Sequence, residues 1–345
     1  MERKRDNEMN SYMESLLSRL SGHSVLITGS TGLIGKAIVR CLMDWNINNP
    51  DRTIDIIAHI RNKNKADALF GGQSENLHYL VCDIQDINVE GLKINYVIHT
   101  ASFTSSEKFI SEPLEVIAAA VDGTRQLLNG LIGHDELLKV VYLSTMEVYG
   151  APADDEKIDE KHGTNLDTMS VRSCYPTAKR MCENICTCYS AEHNIPTSVI
   201  RLTQTFGPGT AYSDGRVFAQ FARCAIEGKN IVLMTKGQTK RSYLYVEDAV
   251  SAILTVLAFG SSGEAYNAAN EKTYCSIYDM AKLVADGICD GKISVVIEET
   301  DCPQYAPTLC MNLNTSKLQL LGWKPMTDLK DMFKLMIDDM KAQKR

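Results

Sequence analysis

The chain has 345 residues, of which 44% are hydrophobic and 23% are charged, and its formal net charge is −7. This composition is typical of a globular protein, and the length allows one large α/β domain or one domain with a smaller partner. Acidic and basic residues alternate, which argues against a nucleic-acid-binding protein, and no apolar run approaches the ~18 residues of a membrane span. The charged N-terminal segment lacks the apolar core of a secretory signal, so we expect a soluble, cytoplasmic protein.

Residues 1–21 are predicted to form a helical extension, because Leu16, Leu17 and Leu20 fall at helical spacing. From Ser24 onwards, short strands rich in β-branched residues alternate with helical stretches. The strands are continuous apolar runs, such as SVLIT, and this pattern is typical of parallel strands covered on both faces. Repeated β–α units of this kind predict an α/β fold with a Rossmann-type doubly wound parallel sheet.

In the C-terminal part of the chain, the order and spacing of strands and helices differ from the regular β–α alternation of the preceding part. This change predicts a smaller C-terminal α/β substrate lobe. We predict a Rossmann domain formed by residues 22–203 plus about 244–272. The substrate-binding lobe is predicted to comprise about 204–243 plus 273–345. A ligand would lie in the crevice at the strand ends, and the hydrophilic stretch 151–172 is interpreted as an ordered or lid-like loop over that crevice.

Three glycines follow the first strand within TGSTGLIG: Gly29, Gly32 and Gly35. Between a strand and a helix, such glycines allow a tight turn, a close approach of the backbone to a pyrophosphate, and close packing of helix on strand. The N-terminus of the following helix would then face the phosphates. The spacing therefore predicts a dinucleotide-binding site.

The end of the second strand bears on which dinucleotide binds. An NAD site usually has an acidic residue there, about 20 residues after the glycines, which binds the ribose. This strand ends at Arg61 without such an acid, and Lys63 and Lys65 follow. These side chains could bind a 2′-phosphate through charge-assisted hydrogen bonds, or they could be solvated loop charges. We favour NADP(H) as the cofactor and keep NAD(H) as the alternative.

Tyr175 and Lys179 lie four residues apart in YPTAK, so on a helix they share one face. A phenol with an ordinary pKa of ~10 is a poor base at neutral pH, but a lysine ammonium and an oxidised nicotinamide nearby would both lower that pKa. Tyr175 could then take a proton from a sugar hydroxyl while hydride leaves its carbon for the nicotinamide. Thr145, just after the fifth strand, would position the same oxygen.

Six segments together carry a family resemblance: TGSTGLIG (28–35), CDIQD (82–86), HTAS (99–102), STMEVYG (144–150), YPTAK (175–179) and YLYVEDA (243–249). Their order and spacing resemble those of extended short-chain dehydrogenases of the epimerase/dehydratase family that act on nucleotide sugars, over about residues 22–325. The resemblance implies a catalytic set of Thr145, Tyr175 and Lys179, with Asp83 and Ile84 at the adenine. The predicted cofactor-binding residues are Gly29, Thr31, Gly32, Leu33, Ile34, Gly35, Arg61, Asp83, Ile84, Thr100, Ala101, Ser102, Tyr175 and Lys179.

Within that family, the closest similarity is to UDP-glucuronate decarboxylases. The segments that carry it are VRSCYPTAKRMCE (171–183), SDGRVFAQFA (213–222) and QTKRSYLYVED (238–248). This resemblance implies that Glu147 and Arg241 assist decarboxylation after oxidation at C4, and that Arg216 binds the substrate diphosphate. As alternatives, Glu147 could only buttress the active-site loop, and Arg241 could be a structural ion-pair partner of Asp248 or Glu247.

The chain departs from the family pattern on the side that would hold the nucleotide. Gln204 stands where relatives usually have Asn, and Gly209 stands where many have Arg. The segment CPQYAPTL (302–309) lacks the arginines that these enzymes use around a diphosphate. Gln204 is a candidate substrate-binding residue together with Arg216 and Arg241, but the nucleotide base, and whether the substrate carries one, stays open.

Three functions are compatible with these residues. The first is a nucleotide-sugar epimerase or decarboxylase that oxidises C4, transforms the intermediate and re-reduces it, so that the cofactor is recycled. The second is an NADPH-dependent reductase of a keto-sugar, a keto-sugar phosphate or a nucleotide-linked keto-sugar, which Arg61 favours. The third is a non-catalytic dinucleotide-sensing protein, against which Thr145, Tyr175 and Lys179 argue. The extent of the motif match favours the first.

Proteins of this family often dimerise through two helices of each subunit, so the resemblance also implies a homodimer. We expect a sugar or nucleotide-sugar substrate as the partner, and neither a nucleic acid nor a membrane. Eleven cysteines are scattered along the chain, and in a cytoplasmic protein we interpret them as reduced. Cys182, Cys186 and Cys188 cluster after YPTAK, but zinc would need a fourth ligand, so helix packing is favoured over a metal site.

Overall fold

The computed structural model describes residues 2–152, 154–299 and 308–344, with the backbone alone for 2–8. The strands in these ranges are β1 (Ser24–Thr28), β2 (Asp55–Ile60), β3 (Leu77–Val81), β4 (Tyr96–His99), β5 (Lys139–Thr145), β6 (Thr197–Leu202), β7 (Gln204–Phe206), β8 (Ile231–Leu233), β9 (Lys240–Tyr245), β10 (Ala265–Ala268), β11 (Asn270–Ser276), β12 (Val295–Ile297) and β13 (Cys310–Met311). The helices are α1 (Glu2–Leu20), α2 (Leu33–Asn48), α3 (Lys63–Phe70), α4 (Lys108–Ser111), α5 (Pro113–Gly130), α6 (Cys174–His193), α7 (Val217–Glu227), α8 (Val246–Phe259), α9 (Ile277–Lys282), α10 (Ser316–Gln319) and α11 (Leu329–Gln343). Helix α9 continues into a π-helical turn over Leu283–Ile288.

No helix in these ranges has both the length and the apolar character needed to cross a membrane.

Seven strands form one sheet in which every neighbouring pair is parallel. Their order is β3-β2-β1-β4-β5-β6-β10, so the direction of winding reverses between β1 and β4. This is the order of a doubly wound dinucleotide-binding sheet with one strand added beside β6, and it confirms the predicted Rossmann-type α/β fold. In such sheets ligands bind outside the carboxyl ends of the strands, at the point of reversal.

Apolar side chains cover both faces of this sheet, as continuous apolar strands require. On one face, Ile27 of β1 packs with Ile38 of α2 and Ile253 of α8, and all three are fully buried. Leu16 of α1 joins this cluster, so the N-terminal helix lies against the domain. On the other face, Leu127 of α5 belongs to a second cluster that is shared with α6.

A smaller group of strands surrounds β9. Strands β7 and β13 pair with β9 in parallel, and β11 pairs with it in the antiparallel direction. The adjoining core contains Phe218 of α7, Tyr243 of β9 and Phe333 of α11. The sequence pattern did not predict this sheet, because strands of three and two residues such as β7 and β13 are too short to show a period. The division of the chain into two lobes stays a prediction.

Candidate active site

A cavity of about 690 Å³ lies at the carboxyl ends of β1, β4 and β5. Its wall contains every residue predicted to bind cofactor or substrate or to act in catalysis, with the exception of Arg241. These wall residues are Gly29, Thr31, Gly32, Leu33, Ile34, Gly35, Arg61, Asp83, Ile84, Thr100, Ala101, Ser102, Thr145, Glu147, Tyr175, Lys179, Gln204 and Arg216. The fold therefore brings together residues that are up to 187 positions apart in the chain, from Gly29 to Arg216.

The glycine loop closes one end of the cavity. Gly29 has a φ of +67°, and a Cβ there would lie 2.9 Å from the Cα of Ala101, so both its conformation and the space favour glycine. A Cβ at Gly35 would lie 2.4 Å from the carbonyl oxygen of Gly29, so only glycine lets α2 pack this closely on the loop. Helix α2 begins after Gly32 without a side-chain cap. Its N-terminus is therefore suited to an anionic group such as a pyrophosphate.

His99, at the end of β4, forms hydrogen bonds with Thr28 of β1 and with Thr124 of α5. The hydroxyl oxygen of Thr28 accepts hydrogen bonds from the backbone N–H groups of Thr100 and Ala101, both at 3.1 Å, so it donates its own proton to Nδ1 of His99 at 2.7 Å. Nε2 of His99 then donates to Thr124 at 3.1 Å. Burial, followed by the nearby charge of Lys179, lowers the pKa of His99 to about 3. His99 is thus a neutral residue that connects neighbouring elements.

The rim next to the second strand is basic. Arg61 is two-thirds exposed, its Nη1 lies 3.9 Å from Oδ1 of Asp83, and its guanidinium lies 5.8 Å from the ring centre of Phe103. Lys65 also lines the cavity, whereas Lys63 forms an ion pair with Asp67 on the helix surface. Of the two lysines named with Arg61, only Lys65 lies where a ligand could reach it.

His59, the neighbour of this rim, was not predicted from the sequence. Its Nδ1 accepts a hydrogen bond from the backbone N–H of Gly29 at 3.3 Å. Its Nε2 is buried and has no hydrogen-bond partner within the described ranges. Burial lowers the pKa of His59 to about 4.

The predicted catalytic residues come together around the end of β5. Lys179 donates from Nζ to the carbonyl oxygen of Leu143 at 2.7 Å, and its Nζ lies 6.0 Å from the ring centre of Tyr175. Burial lowers the pKa of Lys179 to about 8. Thr145 ends the strand, and its side chain lowers the pKa of the nearby phenol of Tyr175.

The pKa of Tyr175 in the protein without ligands differs from the expectation. Burial raises it above the ordinary value of a phenol, and the charge of Glu147 raises it further, while Thr145, Arg172 and Arg216 lower it. Burial outweighs the neighbouring cations, so the phenol is protonated until a bound positive charge is added.

Two residues of this centre were missed by sequence reasoning. Phe109 of α4 stacks on Tyr175 with a ring separation of 4.4 Å and an angle of 10°. The guanidinium of Arg172 lies 4.7 Å from the centre of the Phe109 ring and donates to Oε2 of Glu147 at 3.0 Å. Arg172 stands three residues before Tyr175 in a segment already singled out, so its position was a usable signal. Phe109 carries no motif and could not have been found this way.

The three predicted substrate-binding residues are in different surroundings. Gln204 lines the cavity, and its Oε1 is buried without a partner in the described part of the chain. Arg216 lines the same cavity and forms an ion pair with Asp214. Arg241 does not line the cavity, and its Nε is buried without a hydrogen-bond partner among the described residues.

The structural alternative for Arg241 is wrong within the described residues. No ion pair joins Arg241 to Glu247 or Asp248; instead, Asp248 accepts hydrogen bonds from the backbone N–H groups of Met326 and Thr327, both at 3.0 Å. The segment 302–309, noted for its lack of arginines, falls outside the described residues up to position 307.

Residues 151–172, predicted to be an ordered or lid-like loop over the crevice, do not form part of the cavity wall in the described residues. Only the end of the stretch reaches that wall, where Arg172 contacts Glu147 and Phe109. The middle of the stretch is held by Arg201 of β6, which donates to the carbonyl oxygen of Glu160 at 2.9 Å. Asn267 holds it as well, because its amide donates to the carbonyl oxygen of Ile158 at 3.0 Å.

The cysteines after YPTAK pack between helices. Cys182 and Cys186 are buried on α6, and the thiol of Cys182 donates to the carbonyl oxygen of Ala120 on α5 at 3.2 Å. Cys188 is exposed. Among the described residues no group of three or more His, Cys, Asp or Glu side chains is arranged to hold a metal ion.

Comparison with known proteins places the chain in a family. The model of the NAD dependent epimerase/dehydratase family matches residues 25–269, and the chain belongs to this family. It is thus an enzyme of the extended short-chain dehydrogenase type, which confirms the resemblance predicted from the motifs. The family comprises nucleotide-sugar epimerases, dehydratases and decarboxylases.

Relatives and solved structures agree with this assignment. UDP-glucuronic acid decarboxylase 1 of Xenopus tropicalis is 27% identical over 323 residues, which are 91% of this chain and 71% of the relative. The structure of UDP-N-acetylglucosamine 4-epimerase from Methanobrevibacter ruminantium, in complex with UDP-N-acetylmuramic acid, matches with a TM-score of 0.80 at 19% identity, over 94% of this chain and 99% of that one. The dTDP-glucose 4,6-dehydratase of Bacillus anthracis, in complex with NAD, matches with a TM-score of 0.75 at 20% identity, over 94% and 98% of the two chains.

Proposed function

We propose that this protein is a nucleotide-sugar epimerase or decarboxylase that oxidises the sugar at C4, transforms the intermediate and re-reduces it with the same cofactor. The observation that carries the proposal is the convergence of Thr145, Tyr175 and Lys179 on the wall of one cavity, which the uncapped N-terminus of α2 also borders. The glycine loop, in which Gly29 and Gly35 leave no room for a side chain, completes that cavity. The similarity to UDP-glucuronic acid decarboxylases supports this class of substrate.

The residues present fit a nicotinamide dinucleotide. The N-terminus of α2 and the glycines would hold its pyrophosphate, Asp83 and Ile84 its adenine, and residues 100–102 its nicotinamide. Arg61 and Lys65 on the rim favour NADP(H), because two cations there would hold a 2′-phosphate. NAD(H) remains the alternative, since a family member of the same fold has been solved with NAD.

The chain's own residues would handle the proton of the sugar hydroxyl. When bound, the cofactor supplies a hydride acceptor and, in its oxidised form, a positive charge. Thr145 and Tyr175 would hold the C4 oxygen between them, and Tyr175 would accept its proton. Lys179, which shares a helix face with Tyr175 and donates to the carbonyl oxygen of Leu143 on β5, would add positive charge beside the phenol when protonated. Glu147, oriented by Arg172, would act on the oxidised intermediate.

A second candidate is an NADPH-dependent reductase of a keto-sugar, a keto-sugar phosphate or a nucleotide-linked keto-sugar. The basic rim at Arg61 and Lys65 favours it, because net reductases draw on NADPH. The homodimer and the cytoplasmic location implied by the sequence belong to both proposals.

The first experiment is to denature freshly purified protein and identify any released dinucleotide by mass spectrometry. The recycling enzyme is expected to carry near-stoichiometric NAD(P) and to convert UDP-glucuronate or UDP-glucose, followed by NMR, without added cofactor. A protein that is purified empty and consumes NADPH in proportion to a keto-sugar would favour the reductase. Absence of both activities would contradict both proposals.

The role of Tyr175 is tested by Tyr175→Phe, which removes the proton acceptor and keeps the ring that stacks on Phe109. We expect turnover to fall by about 10²–10⁴-fold while dinucleotide binding is retained. Tyr189→Phe is the matched control, because Tyr189 lies on the same helix and its hydroxyl bonds to Asn129 on the surface. Equal turnover of the two variants would remove Tyr175 from the mechanism.

A further inference from the structure

The loop of residues 207–216, which we name the rim loop, joins β7 to α7 at the edge of the cavity. Its backbone is held by side chains from two helices. The N–H of Gly209 donates to Oδ2 of Asp339 on α11 at 2.6 Å. Arg223 on α7 donates from Nη1 to the carbonyl oxygen of Asp214 at 2.7 Å. The rim loop is therefore a fixed support, and Asp214 is one of its fixed points.

The carboxylate of Asp214 binds one edge of the guanidinium of Arg216. Nε of Arg216 lies 3.0 Å from Oδ1, and Nη2 lies 2.6 Å from Oδ2. The same Oδ1 accepts the backbone N–H of Arg216 at 2.9 Å. The guanidinium also lies 4.7 Å from the ring centre of Phe218, so its plane is supported by an aromatic face. The Asp214 side chain is only 16% exposed, which limits screening by water.

The ion pair with Asp214 leaves Nη1 of Arg216 available to a ligand. A guanidinium has five N–H donors in a rigid fork, and Asp214 engages Nε and Nη2. Nη1 makes no hydrogen bond to any described residue, and Arg216 lines the cavity. A long, flexible side chain that is fixed before binding loses less conformational entropy when an anion arrives.

We propose that Asp214 is a positioning residue, which holds Arg216 so that its Nη1 edge meets a phosphate group of the substrate. This inference rests on the proposed function, in which Arg216 binds the diphosphate of a nucleotide sugar. Asp214 itself touches no substrate in this arrangement, and it acts through the orientation of Arg216.

The test is a double-mutant cycle on the full-length protein with Asp214→Asn, Arg216→Met and the double variant. Calorimetry with UDP gives Kd, and steady-state assays with the UDP-sugar that is converted give KM and kcat. We expect Asp214→Asn to raise Kd and KM about tenfold with kcat nearly unchanged, because the lost contact is a charge-assisted one. In the Arg216→Met background, Asp214→Asn should have no further effect. Asp167→Asn is the matched control, since Asp167 accepts a similar backbone N–H at 2.9 Å from Met169 and pairs with no arginine whose side chain the structure describes.

The outcomes separate this inference from the proposed function. If Arg216→Met weakens UDP binding but Asp214→Asn does not, the inference is wrong and the proposed function stands. Additive effects in the double variant would mean that Asp214 acts through the fold of the rim loop, which also overturns the inference. If wild type and Arg216→Met bind UDP equally, the diphosphate role of Arg216 fails, and the inference fails with it.

Discussion

Burial has opposite effects on the two ionisable groups of the catalytic centre. It lowers the pKa of Lys179 to about 8 and raises that of Tyr175 above its ordinary value. Both shifts favour the uncharged forms, as expected for groups taken out of water. In the protein without ligands the phenol of Tyr175 is therefore protonated at neutral pH. In the proposed mechanism the positive charge of the oxidised cofactor would favour the phenolate, so proton abstraction would depend on the presence of that cofactor.

The cofactor preference depends on Arg61. We expect Arg61→Ala to raise the Kd of NADPH about tenfold or more and to leave that of NADH nearly unchanged, because only NADPH carries a 2′-phosphate. Fluorescence titration with both dinucleotides measures this difference. Lys63→Ala is the control, since Lys63 pairs with Asp67 away from the cavity. Equal effects of Arg61→Ala on both dinucleotides would show that Arg61 does not bind the 2′-phosphate.

His59 is expected to make stability depend on pH. Its folded-state pKa is about 4, below the ~6.5 of an unfolded histidine, so between these values only the unfolded chain binds the proton. The free energy of unfolding should therefore fall as the pH is lowered from 7 to 5, by about 2 kcal/mol from this residue.

The measurement is urea unfolding of wild type and His59→Gln at both pH values. The variant should lose about 2 kcal/mol less on acidification, since glutamine does not titrate and can still accept from Gly29. Asp248, whose pKa is raised to about 6 mainly by burial, shifts stability in the opposite direction, but equally in both proteins. Identical pH slopes would contradict the prediction.

At the level of elements, the close packing of α2 on the glycine loop requires a residue without a side chain at position 35. A Cβ at Gly35 would lie 2.4 Å from the carbonyl oxygen of Gly29. We expect Gly35→Ala to lower the free energy of unfolding by about 1–3 kcal/mol, because helix and loop must separate. Dinucleotide binding should weaken as well, because the N-terminus of α2 moves. Gly163→Ala is the control, since a Cβ there would meet nothing within 4 Å. Equal unfolding free energies and dinucleotide affinities for the two variants would refute the close-packing argument.

Elements differed in how well the sequence predicted them. The strands of the main sheet were predictable because burial on both faces demands long apolar runs, as in β1 and β5. Strand β9 was missed because polar residues such as Lys240 and Arg241 open it. The stretch 151–172 was predicted to be a loop, but its hydrophilic composition did not show which of its residues would contact the site, and only Arg172 does so.

For the whole molecule, the surface of α5 and α6 bears on assembly. Leu114 and Ile117 of α5 are 79% and 38% exposed, and Met181 of α6 is 52% exposed. Apolar side chains grouped on two neighbouring helices fit the homodimer implied by the family resemblance. We expect light scattering to give a dimer at micromolar concentration.

A double substitution of Leu114 and Ile117 by glutamate should convert this dimer into a monomer, because two buried carboxylates would face the partner. Leu335→Glu is the control, since Leu335 is 43% exposed on α11, away from these helices. A monomeric wild type, or a dimer that persists in the double variant, would contradict the prediction.

The sequence by itself determined the main sheet and the glycine loop, and it predicted that Thr145, Tyr175 and Lys179 would lie together. Each of these depends on local patterns: apolar runs, glycine spacing, and two residues four apart on one helix. Only the tertiary structure decided that Phe109 stacks on Tyr175, that Arg172 binds Glu147, and that Arg201 holds the loop at Glu160. These contacts join residues brought together by packing of separate elements, and neither composition nor periodicity contains the distance between such elements.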